Sequence, residues 1–285
     1  LVDHVIFSPR VNVRFNPSEA VNLRVSYAGG YRAPQAFDED MHIAIVGGKR
    51  VRIRLADDLR EERSHSVSLS ADLYHTFGKV QTNLLVEGFY TILDDVFALR
   101  DLEDTDDGGK IKERYNGSGA AVRGFNVEGR AIFTRWFELQ AGVTLQQSRY
   151  KEPEQWSEDA DVPPVRRMFR TPDAYGYFTA SFKPVRNFTA DLTGTCTGSM
   201  LVQHMAGSGV AQDAAVSTPS FFDMNVRLSY DLRIYKEITL QLYGGVQNLF
   251  NAYQKDFDKG ADRDSGYIYG PSLPRSWFVG AKFSF

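Results

Sequence analysis

Trp277–Phe278–Val279–Gly280–Ala281–Lys282–Phe283–Ser284–Phe285 alternates with a period of two. The odd positions Trp277, Val279, Ala281, Phe283 and Phe285 are apolar, and the even positions after Phe278 are Gly280, Lys282 and Ser284. In a β-strand those two sets lie on opposite faces. A strand with one greasy face and one polar face, ending on Phe285, suits a membrane β-barrel wall, in which one face meets lipid and the other meets water.

The same rhythm recurs upstream. Val11, Val13 and Phe15 alternate with Asn12 and Arg14, and Val21, Leu23, Val25 and Tyr27 alternate with Asn22, Arg24 and Ser26. Val67, Leu69, Ala71 and Leu73 alternate with serines and Asp72, and Ile238, Leu240 and Leu242 with Thr239 and Gln241. Short connections are predicted at Asn16–Glu19, Phe77–Lys79, Thr134–Trp136, Pro184–Asn187 and Leu232–Lys236. Long polar ones are predicted at about 31–60, 99–114, 151–168, 200–218 and 251–272. Short and long alternate strictly, which is the layout of an outer-membrane barrel, with turns on one side and loops on the other. About eleven strands over 285 residues leave about 26 residues per strand and connection, more than the roughly 8–12 of a soluble sandwich. The expected fold is all-β: an antiparallel transmembrane β-barrel wall.

Composition fits this reading. Hydrophobic residues make up 42%, charged residues 24%, and mean hydropathy is −0.34. No window approaches the roughly 18 apolar residues of a transmembrane helix, but a barrel escapes that test because only alternate residues face lipid. A net charge of −3 argues against a nucleic-acid partner. Cys196 stands alone, so no internal disulfide forms. No Ser/His/Asp grouping, paired-carboxylate site, phosphate loop or zinc spacing stands out, and no enzymatic activity is expected. Arg14, Arg24, Asp72, Glu87, Asp191 and Arg227 have the polar parity. They are expected on the lumen face, since Arg or Lys facing mid-membrane lipid costs roughly 2–4 kcal/mol.

Bacterial single-chain barrels normally have even strand numbers. Eleven strands ending in a downward strand imply that the first also runs downward, so residues 1–285 read as the C-terminal half of a 22-stranded barrel. The start Leu1–Val2–Asp3, without Met, leaves open a removed leader or a longer chain.

Three stretches carry a resemblance. Asn22 to Pro34 ends in Tyr31–Arg32–Ala33–Pro34, and Asp58–Leu59–Arg60–Glu61–Glu62–Arg63–Ser64–His65–Ser66 resembles an Asn-Pro-x-Leu-x-Pro-Glu-x-Ser box with both prolines replaced. Val246–Gln247–Asn248–Leu249–Phe250–Asn251–Ala252–Tyr253, followed by Gly270–Pro271–Ser272–Leu273–Pro274–Arg275, is similar to a penultimate-strand motif. Together they resemble the TonB-dependent outer-membrane receptors. The tract Arg170–Thr171–Pro172–Asp173–Ala174–Tyr175–Gly176–Tyr177–Phe178 resembles Bacteroidetes-type siderophore or cobalamin receptors. The resemblance implies a Gram-negative outer-membrane location and a barrel plugged by an N-terminal domain that this sequence does not show. It also implies import of a ferric siderophore, cobalamin or haem with TonB-supplied energy. The implied partners are membrane lipid, the plug with the other barrel half, the TonB complex, and the barrel assembly machinery, which reads Phe283 and Phe285. A passive channel without a plug is the alternative.

The candidate ligand residues lie in loops. His42, after Met41, occupies the interval in which haem receptors of the family place an axial His; the plainer reading is an ordinary loop residue. Met200 and His204 offer thioether and imidazole ligands for copper or haem, or else pack a loop. Tyr31, Phe37, Trp156, Tyr267 and Tyr269 could stack on a catechol, corrin or porphyrin, or serve as interfacial girdle residues. No resident cofactor is expected. Loop calcium is the nearest case, but with Gly108 at position 6 of an EF-hand loop, Thr105 falls at position 3 and Arg114 at 12, so the register fails. Asp256, Asp258, Asp262 and Asp264 around Gly260 make a similar weak case.

Overall fold

The computed structural model describes residues 4–35, 51–104, 110–235, 237–271 and 273–285. In chain order its strands are β1 (Arg10–Ser18), β2 (Val21–Arg32), β3 (Val51–Leu55), β4 (Glu62–Phe77), β5 (Val80–Asp94), β6 (Phe97–Asp104) and β7 (Lys110–Asn116). Then follow β8 (Ala120–Thr134), β9 (Phe137–Glu154), β10 (Val165–Arg167), β11 (Ala174–Phe182), β12 (Phe188–Thr197) and β13 (Leu201–His204). The last are β14 (Ala214–Ser217), β15 (Phe221–Tyr235), β16 (Ile238–Gln247) and β17 (Ser276–Ser284).

Eleven long strands form one antiparallel wall in the order β1-β2-β4-β5-β8-β9-β11-β12-β15-β16-β17, with β10 pairing to β9. The eleven expected from the alternation are all present. β1 and β17 are the edges, and among the described residues neither pairs with the other. The long connections carry structure of their own. β6 and β7 form a hairpin, β3 adds to β7 in parallel, and β13 pairs with β14. The segment expected as the loop 99–114 is therefore largely that hairpin, and β9 runs on to Glu154, past the expected start of its loop.

Register confirms the two faces. One row runs Val13, Val25, Leu69, Gly88, Phe125, Leu145, Ala174 across β1 to β11. A second runs Leu139, Ala180, Leu192, Val226, Val246, Trp277 to β17. Both are apolar; Val13, Val25, Leu69, Phe125 and Leu145 of the first row are exposed, as is Trp277 at the end of the second, and beyond it on the same face of β17 Val279 is 90% accessible. In water such a surface is unfavourable; in hydrocarbon it needs no cover.

The opposite face carries Arg14, Arg24, Ser70, Glu87, Asn126 and Thr144 in one row. There the polar groups satisfy one another. Asn126 donates to Glu87 at 3.0 Å and Thr144 to Asn126 at 2.8 Å. Ser181 donates to Asp191 at 2.7 Å, and Arg227 to Gln241 at 3.2 Å. Asn83 donates to Asp72. All six charges expected on the polar face lie there.

Short hairpins close the other ends. Gly78 takes a left-handed φ of 62° between β4 and β5, and Asn187 one of 70° before β12, the backbone sign that tight hairpins require. Glycine also serves close approach: a Cβ on Gly142 would lie 2.6 Å from the Tyr177 ring.

Candidate functional site

On the long-loop side, three connections lock into one cap. β13 presents His204, and its ring stacks on Tyr267 with centroids 3.7 Å apart and planes 7° apart. Nε2 of His204 lies 3.0 Å from both carboxylate oxygens of Asp258, and both side chains are almost wholly buried. Asp264 accepts from the backbone N–H groups of Met205 and Gly266, each at 2.8 Å, and its own N–H donates to Asp258. Met200, Val202 and Tyr267 form a small apolar core, with Val216 and Tyr269 packed against it.

Tyr267 and Tyr269 both donate to Asp256, at 3.1 and 2.6 Å. Burial, then the bond to that carboxylate and its charge, push the Tyr267 hydroxyl up to about 12. The same causes raise Tyr269 further. Burial, the largest single cause, works to raise Asp256, but hydrogen bonds from Tyr269 and Tyr267, a backbone N–H and Gln254 together hold the carboxyl below its ordinary value. Both tyrosines therefore stay protonated donors at neutral pH. Gln254 completes the cluster, donating to the Tyr267 carbonyl and accepting from the Tyr269 N–H, each at 2.9 Å.

The segment 155–173 ties into this cluster. Ser157 donates to Asp213 and Gln212 to Asp159, both at 2.7 Å. Arg170 reaches the carbonyls of Ile268 (2.7 Å) and Gly266. Ser208 donates to the Lys259 carbonyl at 2.6 Å.

Of the expected ligand residues, Met200, His204, Tyr267 and Tyr269 are brought together. Met200, His204 and Tyr267 are buried, and their contacts are with one another, with the carboxylates of Asp256 and Asp258 and with the loop backbone. Trp156 sits apart, edge-on to Phe169 at 5.3 Å and donating to the Pro163 carbonyl. Tyr31 ends β2 with the parity of Val25 and Tyr27, and is half exposed on the apolar side of the wall. Phe37 and His42 lie outside the described residues. Each carboxylate of the Asp256–Asp264 run that is buried has a hydrogen-bond partner, and no grouping of three or more His, Cys, Asp or Glu suited to a metal occurs among the described residues. Asp213, Gln254 and Arg170 complete the cap but were not singled out in the sequence, because each has a partner between 13 and 98 residues away: Ser157, the Tyr267 carbonyl and the Ile268 carbonyl.

Below the cap the polar face of the wall holds a hollow of about 650 Å³ lined by Asp191, Thr193, Asp223, Asn225, Arg227 and Asn248, among others. Asn248, almost fully buried at a left-handed φ of 50°, fastens the turn out of β16. It donates to the carbonyls of Ala252 (3.0 Å) and Leu273 (2.9 Å), and its amide oxygen accepts from the Ala252 N–H at 2.8 Å.

A family model described as "TonB dependent receptor-like, beta-barrel" matches residues 3–249. The chain belongs to the TonB-dependent receptor β-barrel family. Among solved structures it is similar to the ferric-catecholate import receptor Fiu of E. coli, at TM-score 0.61 and 17% identity over 95% of this chain and 34% of that one. It is likewise similar to the FrpB iron transporter of Neisseria meningitidis (F5-1 variant), at TM-score 0.64 and 16% identity over 96% and 39%. The copper transporter OprC gives TM-score 0.65 and 13% identity over 98% and 39%. At these identities the likeness shows the fold, and the chain spans well under half the length of each. No curated protein sequence matches. Membership in the TonB-dependent receptor family places the wall in the outer membrane of a Gram-negative bacterium, with the long-loop cap outward.

Within the receptor frame the family-like boxes acquire physical roles. Asn248 in the Asn-Leu-Phe motif is the loop fastener. Glu61, in the box before β4, is buried and bonded by Arg63 at 2.6 and 3.0 Å, with His4 at 3.4 Å. The Arg63 hydrogen bonds first, then a backbone N–H, lower the Glu61 carboxyl to about 2.

Proposed function

We propose that this chain is the C-terminal part of the barrel of a TonB-dependent importer, with a plug and the remaining strands supplied by sequence upstream. The intact receptor binds a scarce metal complex at its extracellular loops and imports it with energy from the TonB complex. An iron–siderophore complex is the favoured ligand class, because the similar structures include a ferric-catecholate import receptor, Fiu, and an iron transporter, FrpB. The observation that carries the reading is the extracellular cap: three loops cross-linked by polar contacts, with the His204–Asp258 pair almost wholly buried among them, over a polar wall face. Such a platform presents a fixed rim at low ordering cost on binding. No bond is made or broken; the receptor's contribution is affinity and its coupling to the plug. In this reading Trp156 and Tyr269 contact ligand from the cap rim, and Met200, His204 and Tyr267 support them from beneath.

The open edges of β1 and β17, together with a span of 34–39% of the similar receptors, support the assignment to part of a larger barrel. Phe283 and Phe285 on the edge strand are assigned to recognition by the assembly machinery.

The test is growth of iron-starved cells that depend on the intact receptor and are supplied with ferric catecholate complexes. The expected result is growth that requires TonB and is lost on deletion of residues 199–217. TonB-independent passage of unrelated small solutes would instead identify a passive channel.

A further inference from the structure

Asp256 and Tyr269 meet at the rim of the cap. The Tyr269 hydroxyl donates to Oδ1 of Asp256 at 2.6 Å, and the Tyr267 hydroxyl donates to Oδ2 at 3.1 Å. Asp256 is exposed and Tyr269 half-buried, whereas Tyr267 is buried beneath them. An exposed carboxylate is satisfied by water and does not require phenol partners, yet two phenols converge on this one.

The support under the pair is built up in layers. The Tyr267 ring is clamped by His204 at 3.7 Å, and His204 is held in turn by Asp258. Gln254, 1% exposed, ties the Tyr267 carbonyl and the Tyr269 N–H, each at 2.9 Å. The Tyr269 ring lies against Phe221, the first residue of β15, with centroids 5.9 Å apart. Ligand atoms fixed by a supporting shell of this kind bind without first having to be ordered.

Their spacing suits a metal. For a small hard cation bound octahedrally at about 2.0–2.1 Å, adjacent ligand oxygens are about 2.9 Å apart. Oδ1 of Asp256 and Oη of Tyr269, at 2.6 Å, are close to that separation. Carboxylate and phenolate are hard oxygen donors, which match a hard cation such as iron(III) and mismatch a soft one such as copper(I). Two donors make no cage, in keeping with the lack of a grouping of three or more His, Cys, Asp or Glu among the described residues. They suffice to complete a coordination sphere that a chelator leaves open.

We propose that Asp256 and Tyr269 coordinate iron(III) carried by a four-donor chelator, each filling one of the two adjacent positions that the chelator leaves to water. Two iron-bound waters depart, bonds form from iron to Asp256 Oδ1 and Tyr269 Oη, and the Tyr269 proton passes to water. The iron stays ferric throughout. Burial and the Asp256 carboxylate favour the protonated Tyr269 hydroxyl when no metal is bound, and a bound cation reverses that preference. Tyr267 keeps its hydrogen bond to Oδ2 and is a positioning residue for the carboxylate. Resting on the reading of the receptor as an importer of iron complexes, the site narrows the ligand to chelates with open positions. A saturated six-donor complex offers the pair no bond.

The test titrates the intact receptor with ferric nitrilotriacetate, a four-donor chelate, and reads visible absorption. The expected result is a phenolate-to-iron charge-transfer band that Tyr269→Phe abolishes. Tyr267→Phe should keep the band and weaken binding about 10–100-fold, as loss of a partner to a ligating group does. Asp256→Asn should weaken binding at least as much. Iron held by a six-donor trihydroxamate should give no such band. Heat-modifiable gel migration verifies that each variant is folded. Absence of the band in wild type, or an equal band in folded Tyr269→Phe, would overturn the proposal, as would an equal band with the trihydroxamate complex. TonB-dependent growth on ferric catecholate without the band would remove this site and leave the import reading standing. The band without such growth would do the reverse.

Discussion

At the residue scale the chain shows why single positions carry family-like motifs. Asn248 closes three hydrogen bonds around one turn while holding a left-handed backbone. Asn248→Ala leaves two part-buried carbonyls and an N–H without their partner, at a cost of up to about 1–3 kcal/mol each where water cannot replace it. The expected outcome is faster cleavage of the 251–272 loop by an external protease, with the barrel still resistant. Glu61 offers a pH test. Its folded value of about 2 lies below its ordinary 4.5, so its contribution to stability is complete above 4.5 and is lost as pH falls toward 2. Unfolding of the intact receptor measured from pH 6 down to pH 2.5 should show a loss that Glu61→Gln lacks; identical profiles would contradict the assignment. The charges of the polar face were legible from parity alone, because lipid forbids them on the other side. The partners of His204 and Tyr267 were not: Asp258 and Asp256 read as members of an acidic loop run, and only the folded loops show them bonded to one imidazole and two phenols.

At the element scale, strand parity is the feature that folding and membrane insertion both depend on. Leu240 pairs with Phe283 and Leu232 on the apolar face, and Gln241 pairs with Lys282 and Asp231 on the polar face. Leu240→Arg should cost roughly 2–4 kcal/mol and sharply lower surface levels, while Gln241→Arg should be tolerated. Cell-surface labelling of the two variants separates them, and equal levels would mean the faces are assigned wrongly. The wall strands were readable because period-two alternation survives over 9 to 18 residues. The short strands β3, β6, β7, β13 and β14 were not, since they are mostly brief and polar and are stabilised within loops. Their order has a consequence for the cap. Replacing Asp213 with Ala removes the Ser157 bond and the Ala206 N–H bond. It should increase deuterium exchange in both the 155–164 and 205–213 segments, which separate loops would not do.

At the scale of the whole molecule, eleven strands pair into one wall whose edges β1 and β17 do not pair with each other among the described residues, and the edge strand β17 carries the alternation from which the fold was read. Phe285→Ser should lower the amount of receptor inserted, because the end strand has to be recognised and then sealed against its neighbour; unchanged outer-membrane levels would remove that role. The architecture and membrane setting were legible from periodicity and connection lengths. The ligand was not, because the loop residues read as its contacts carry no periodicity, and several of them are buried against one another in the folded cap. The most direct measurement is spin-label accessibility scanned one residue at a time from Ser276 to Ser284 in the intact receptor in bilayers. The account predicts that labels at positions 277, 279, 281 and 283 collide with oxygen dissolved in lipid, and that labels at 278, 280 and 282 collide with a water-soluble nickel chelate or are shielded. Uniform water access along the strand, or the opposite phase, would contradict it.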